Sequence, residues 1–243
     1  MPLATNPTTS TAQRADLTRL LTSKRLTSYV GAVATAHQAL HHTNVFDHYV
    51  YNMSIASTLL GPLHILEVTC RNSMQAQLSS HFNRDDWWEV ADLANLQVQV
   101  IADTWGPLDA AGKSVDDFVA GVSFGFWTGL LGTGTTKFVK GRATPPSKNY
   151  ERQLWHPALS KAFPNSHRNR RQVAESFEWA RMMRNRVGHH EPIFLRDPQG
   201  TYNEVIRLIR TISDPIADWV DDRSKMPRMI VHSPTHASPT VHF

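Results

Sequence analysis

Arg184 and His189, separated by four residues, lie in the run Arg181-Met182-Met183-Arg184-Asn185-Arg186-Val187-Gly188-His189-His190-Glu191-Pro192. A guanidinium is permanently charged, and its planar fork matches two phosphate oxygens. An imidazole titrates near neutrality and can take or give a proton. Together they suit cleavage of an RNA phosphodiester. There the 2′-OH of the substrate is the nucleophile, so the protein needs no Ser or Cys nucleophile. It needs a proton acceptor and donor, and positive charge for the developing phosphorane. The competing reading is structural: an Arg or His in a last helical turn often caps carbonyls and complements the helix dipole.

The element that must carry these residues is a helix expected from Arg168 to about Val187, with Val173, Phe177, Ala180 and Val187 as its apolar stripe. Arg184 falls four residues after Ala180 and seven after Phe177, inside that stripe, where a guanidinium needs a partner or a polar cleft. Gly188 is the expected helix terminator, and Pro192 blocks continuation. Five residues of regular helix turn His189 about 140° away from Arg184. A chain turn or a second subunit is therefore needed to bring the two together. His189, His190 and Glu191 could suggest a metal site. However, adjacent histidines point in different directions and no His-Glu-x-x-His pattern is present, so no metal and no other cofactor is expected.

The rest of the chain reads as helix with almost no strand. Helices are expected from about Ser23 to His41 and from Asn44 to Phe82, the second kinked or split at Gly61-Pro62. Its apolar residues Tyr49, Met53, Ala56, Leu60, Leu63, Leu66, Cys70, Met74 and Leu78 follow helical steps. A turn at Asn83-Arg84-Asp85 leads past Trp87 and Trp88 to a helix from Asp92 to Trp105. Ser114 caps the next start, with Asp116 and Asp117 in its first turn, ahead of an apolar helix from Phe118 to Leu131. Gly132 to Ser147 reads as a loop. Helices are expected again over Tyr150 to Phe163 and Tyr202 to Val220, the last bent or divided near Pro215. At helical spacing beside Val and Leu, the aromatics Trp87, Trp88, Phe124, Phe126 and Trp127 read as core, not as base-stacking platforms.

The expected organisation is all-α: a disordered leader over 1–13, one helical domain over 14–222 and a disordered tail over 223–243. The opening stretch lacks the apolar core of a signal peptide. No apolar run approaches the roughly 20 residues that span a bilayer. The single cysteine, Cys70, rules out an internal disulfide and fits a reducing, cytoplasmic setting. Formal charge is +4, but its distribution matters more. Arg168, Arg170, Arg171, Arg181, Arg184 and Arg186 crowd one stretch, with Lys137, Lys140, Arg142 and Lys148 nearby, as suits a polyanion partner.

Arg184-Asn185 followed by Gly188-His189-His190-Glu191-Pro192 resembles the signature of the Abi-like branch of the HEPN superfamily. Two further segments resemble the same family. One is Leu66-Glu67-Val68-Thr69-Cys70-Arg71-Asn72 with Trp87-Trp88 after it. The other is Ser123-Phe124-Gly125-Phe126-Trp127, with Leu154-Trp155 and Phe163-Pro164 downstream. The likeness runs from about Arg25 to Val220. It implies an all-α bundle of the HEPN type and metal-independent RNA cleavage that leaves a 2′,3′-cyclic phosphate and a 5′-OH. It also implies a role in phage defence or as a toxin, held in check by an RNA or protein antitoxin, and a homodimer. Arg184 and His189 are then the catalytic pair, with Asn185 orienting phosphate or imidazole. Arg71 and Asn72, repeated in the family, become candidates for the cleft; Arg181, Arg186 and His190 are auxiliary or RNA-binding candidates. A catalytically silent helical RNA-binding module, with no membrane partner, is the alternative.

Overall fold

A computed structural model of the chain describes residues 10–22, 24–29, 45–134 and 148–226. Every regular element among them is helical. The α-helices are α1 (Thr11–Leu21), α2 (Val45–Phe82), α3 (Asn95–Ala110), α4 (Val115–Gly121), α5 (Phe124–Leu130), α6 (Arg170–Gly188), α7 (Pro198–Ile212) and α8 (Asp214–Arg223). The described chain groups into two compact units. One takes the described residues up to Pro62, Arg184–Glu204 and those from Arg223 onward; the other takes Leu63–Met183 and Val205–Asp222.

The leader expected over 1–13 is helical from Thr11, where Ser10 and Gln13 form a reciprocal capping box. None of the side chains of α1 is buried. Residues 1–9 and 227–243, with the tail histidines His232, His236 and His242, lie outside the described residues. At the near end of the expected tail, Met226 is buried. Residues 24–29 are helical, as expected from Ser23 onward; 30–44 lie outside the description, as do 135–147 with Lys137, Lys140 and Arg142.

α2 passes through Gly61-Pro62 without ending. In the first half its buried face is only partly the expected one, with Ala56 buried as expected. His48, Asn52, Ile55 and Leu59 are buried, whereas Met53 is 36% and Leu60 52% exposed. A count of apolar residues alone skips the buried polar residues His48, Asn52 and Ser54 and so misplaces part of the stripe. From Leu63 through Leu66, Cys70, Met74 and Leu78 the expected residues are buried. By length and composition alone, His48–Phe82 is long and apolar enough to cross a membrane, an 18-residue window within it having mean hydropathy 1.3. This corrects the expectation that no such run exists, although its single buried stripe is also what a core helix shows.

In the second unit, the helix expected over Phe118 to Leu131 is two helices, because Val122 and Ser123 adopt extended dihedrals between them. Ser114 caps α4 through a reciprocal box with Asp117, as its sequence predicts. Trp87, Trp88, Phe124, Phe126 and Trp127 are all buried. Trp87, Trp88, Phe126 and Trp127 belong to an aromatic cluster in which Trp88 and Phe118 lie 4.1 Å apart between ring centroids. In place of the helix expected over Tyr150 to Phe163 there is a π-turn at Glu151–Trp155 and a 3-10 turn at Leu159–Ala162. Pro157, which has no N–H to donate to the helical ladder, accounts for the interruption. The last helical stretch is divided at Ser213, just ahead of Pro215.

Candidate functional site

The end of α6 is built as a Schellman motif. The Glu191 N–H donates to the Arg186 carbonyl at 2.9 Å and the His190 N–H to the Val187 carbonyl at 3.1 Å. His190 supplies the left-handed residue the motif needs, with φ 55°. Gly188, expected as the terminator, is instead the last helical residue. The helical pattern carries on one residue further, since the His189 N–H donates to the Asn185 carbonyl at 2.8 Å. A residue other than glycine in this region costs about 1–2 kcal/mol. His190→Gly is therefore expected to raise stability by about 0.5–1 kcal/mol, seen as a higher denaturant midpoint. An unchanged or lower midpoint would show that the imidazole makes a compensating contact.

The chain beyond this helix end is fixed by one side chain. Asn52, fully buried, donates through Nδ2 to the Tyr29 hydroxyl at 2.9 Å and to the Glu191 carbonyl at 3.1 Å. Its Oδ1 accepts from the backbone N–H groups of Ile193 at 2.7 Å and Phe194 at 3.3 Å. The Tyr29 hydroxyl in turn donates to the His190 carbonyl at 3.4 Å. Arg186 closes the arrangement from outside with an ion pair to Glu191 at 2.7 Å.

Burial pushes the Tyr29 phenol up to about 12, and neighbouring Tyr49 adds to the shift. The folded state thus favours the protonated hydroxyl. Its contribution is complete below about pH 10, the ordinary value, and is lost as pH rises towards 12. Wild-type stability is expected to fall in that window by about 1.4 kcal/mol per pH unit more than that of Tyr29→Phe. Parallel denaturant titrations of the two proteins check this; identical slopes would contradict it.

A cavity of about 340 Å³ opens beside this turn, lined by His189, His190, Glu191 and Pro192 on one side and by Thr22, Lys24, Arg25, Ser28 and Tyr29 on the other. Both histidines are exposed. With the Glu191 carboxylate engaged by Arg186, Lys24 and Arg25 leave the cavity positively charged. It can hold an anion beside an imidazole.

Arg184 is not among the residues that line it. The expectation that Arg184 sits on the buried stripe is also corrected. Met183 and Val187 take the core positions of the last turn at 4% exposure each, and Arg184 is exposed. Its charge there complements the C-terminal end of the helix dipole. Asn185 is half-buried. Of the auxiliary candidates, His190 lines the cavity and Arg186 holds Glu191. Arg181 belongs to the other unit, where it grips Glu178 through two hydrogen bonds of 2.8 and 2.6 Å. Arg71 and Asn72 belong to that unit as well; Arg71 Nη1 donates to the Ala120 carbonyl at 3.3 Å, and Asn72 is exposed.

Sequence reasoning missed Tyr29, Asn52, Lys24 and Arg25. A buried polar residue in an apolar helical row was the available signal for Asn52; nothing local marks the other three. Among the described residues no three of His, Cys, Asp or Glu gather as a metal cage. Comparison with protein-family models, with curated proteins and with solved structures gives no match.

Proposed function

We propose that the chain is a metal-independent endoribonuclease of the Abi-like HEPN type. In this reading it acts in the cytoplasm in phage defence or as a toxin restrained by an RNA or protein antitoxin. The observation that carries the reading is the placement of His189: exposed, at a fixed helix end, beside a cavity whose opposite wall bears Lys24 and Arg25. RNA phosphate enters that cavity. His189 accepts the 2′-OH proton, the oxygen attacks phosphorus, and the 5′-oxygen departs with a proton, giving a 2′,3′-cyclic phosphate and a 5′-OH. Arg184 neutralises the phosphorane, and Asn185 orients phosphate or imidazole.

Within one chain, helical geometry persists through His189, so Arg184 points away from it. A single His is also poorly placed to protonate the leaving oxygen on the far side of phosphorus. A two-fold dimer answers both points by bringing two copies of the Arg184 to Pro192 segment to one cleft. Light scattering is expected to give twice the chain mass for the active protein; a fully active monomer would end the dimer proposal. The activity itself is tested by incubating the protein with a defined RNA and analysing the new ends. Binding without cleavage would favour the silent RNA-binding module.

A further inference from the structure

The arginines crowded around α6 differ in what they face. Arg170, Arg171, Arg181 and Arg186 each meet a carboxylate, on Glu151, Glu175, Glu178 and Glu191 in turn. Arg168 does not. Its Nη1 donates to the Ser176 hydroxyl at 2.7 Å, a neutral partner, and no carboxylate among the described residues takes up its charge.

Arg168 lines a cavity of about 560 Å³. Arg207, Arg210 and Thr211 reach the same cavity from α7, at the spacing of three and four that puts side chains on one helix face. Three guanidinium groups thus line it against one carboxylate, Asp214, with His167 beside them. All of these residues belong to the unit made of Leu63–Met183 and Val205–Asp222.

The walls are braced. The Asn165 N–H donates to the Thr211 carbonyl at 3.1 Å, and its Nδ2 to the Arg210 carbonyl and an Asp214 carboxylate oxygen, each at 3.0 Å. Arg210 is itself held by Asp214 at 3.2 Å and Asp218 at 2.7 Å, so it serves the wall. Of the other two guanidinium groups, Arg168 is exposed and Arg207 half-buried. A guanidinium presents five N–H donors in a fork that fits two phosphate oxygens, and Ser176 engages only one side of Arg168.

The cavity is an open trough: Asn165, His167, Arg168 and Asp214 along it are all exposed. Small-molecule sites usually cover roughly 70–90% of their ligand. A ligand here keeps one side in water, as the backbone of a nucleic-acid strand does.

We propose that this trough binds a backbone phosphate of single-stranded RNA, with Arg168 as the main contact and Arg207 as the second. The proposal rests on the ribonuclease reading for the identity of the strand. It adds an RNA contact in the unit that does not carry His189.

The test uses the full chain carrying His189→Ala, so that RNA is not consumed, and titrates a short labelled single-stranded RNA at several salt concentrations. The logarithm of affinity should fall linearly with that of salt. Arg168→Gln should make the slope shallower by about 0.7, the share of one phosphate contact on a single strand, and weaken binding about tenfold at the lowest salt. Arg207→Gln should act in the same direction. Arg171→Gln removes the same formal charge from the same unit, where Glu175 already pairs it, and should change neither slope nor affinity. Equal effects of Arg168→Gln and Arg171→Gln would reduce the result to overall charge and overturn the site. So would displacement of the RNA by polyglutamate or inorganic phosphate, at matched ionic strength, as readily as by unlabelled RNA. Tight, salt-dependent binding that Arg168→Gln and Arg207→Gln leave unchanged would end this inference and leave the ribonuclease reading standing; an absence of RNA binding would overturn both.

Discussion

His189→Ala is expected to slow RNA cleavage by about 10²–10⁴-fold, the usual contribution of a positioned acid–base group, while leaving the fold intact. The imidazole is exposed, and the contacts that shape its turn are made by the backbone of Asn185, Val187 and Arg186. Alanine keeps all of them. Arg184→Ala should lose about 10²–10³-fold, as removal of one transition-state electrostatic contact does. The same reasoning on exposure predicts unchanged thermal stability within about 0.5 kcal/mol for both. If the proposed toxin role holds, expression of the wild type should arrest growth and expression of either variant should not. Full cleavage by the His189→Ala protein would remove the residue from the chemistry and leave the cationic cavity as a binding feature.

Asn52→Ala is expected to destabilise the protein by about 2–4 kcal/mol, because it strips partners from buried groups and does not simply delete a contact. The N–H groups of Ile193 and Phe194 both lose their acceptor, and the Glu191 carbonyl and Tyr29 hydroxyl lose a donor. The loss should appear as a lower urea midpoint with an unchanged slope. Cleavage should also fall in conditions where the variant remains folded, since Asn52 fixes the chain that leaves His190. A loss under about 0.5 kcal/mol would mean that water replaces the amide at little cost and that the turn is held by the Schellman bonds alone.

Much of the helical layout was legible because apolar spacing and caps are local. Ser114 with Asp117 announced α4, and the Leu63 to Leu78 row announced the second half of α2. The departures come from tertiary or backbone effects that composition does not reveal. His48 and Asn52 are polar residues on a buried face, so an apolar count slides past them. Val122 and Ser123 break a run that looks continuous by hydrophobicity. Pro157 is a readable warning of the π-turn after Tyr150, but it stands among residues that otherwise favour a continuous helix.

The candidate site was legible to a similar depth. Arg184, Asn185, His189 and His190 are contiguous enough to be picked out by residue type. The opposing wall comes from Thr22, Lys24, Arg25, Ser28 and Tyr29, about 160 positions earlier, and no local pattern links the two. The helix terminus illustrates the same limit: glycine is the common left-handed residue, so residue type points to Gly188 for the place that His190 occupies.

Cleavage of one defined RNA by the wild type and by His189→Ala, side by side in EDTA, tests the central claim most directly. The account predicts that the wild type cuts in chelator, leaving 2′,3′-cyclic phosphate and 5′-OH ends, while the variant leaves the RNA whole. Cleavage that disappears in EDTA and returns with a divalent ion, or that proceeds equally without His189, would contradict it.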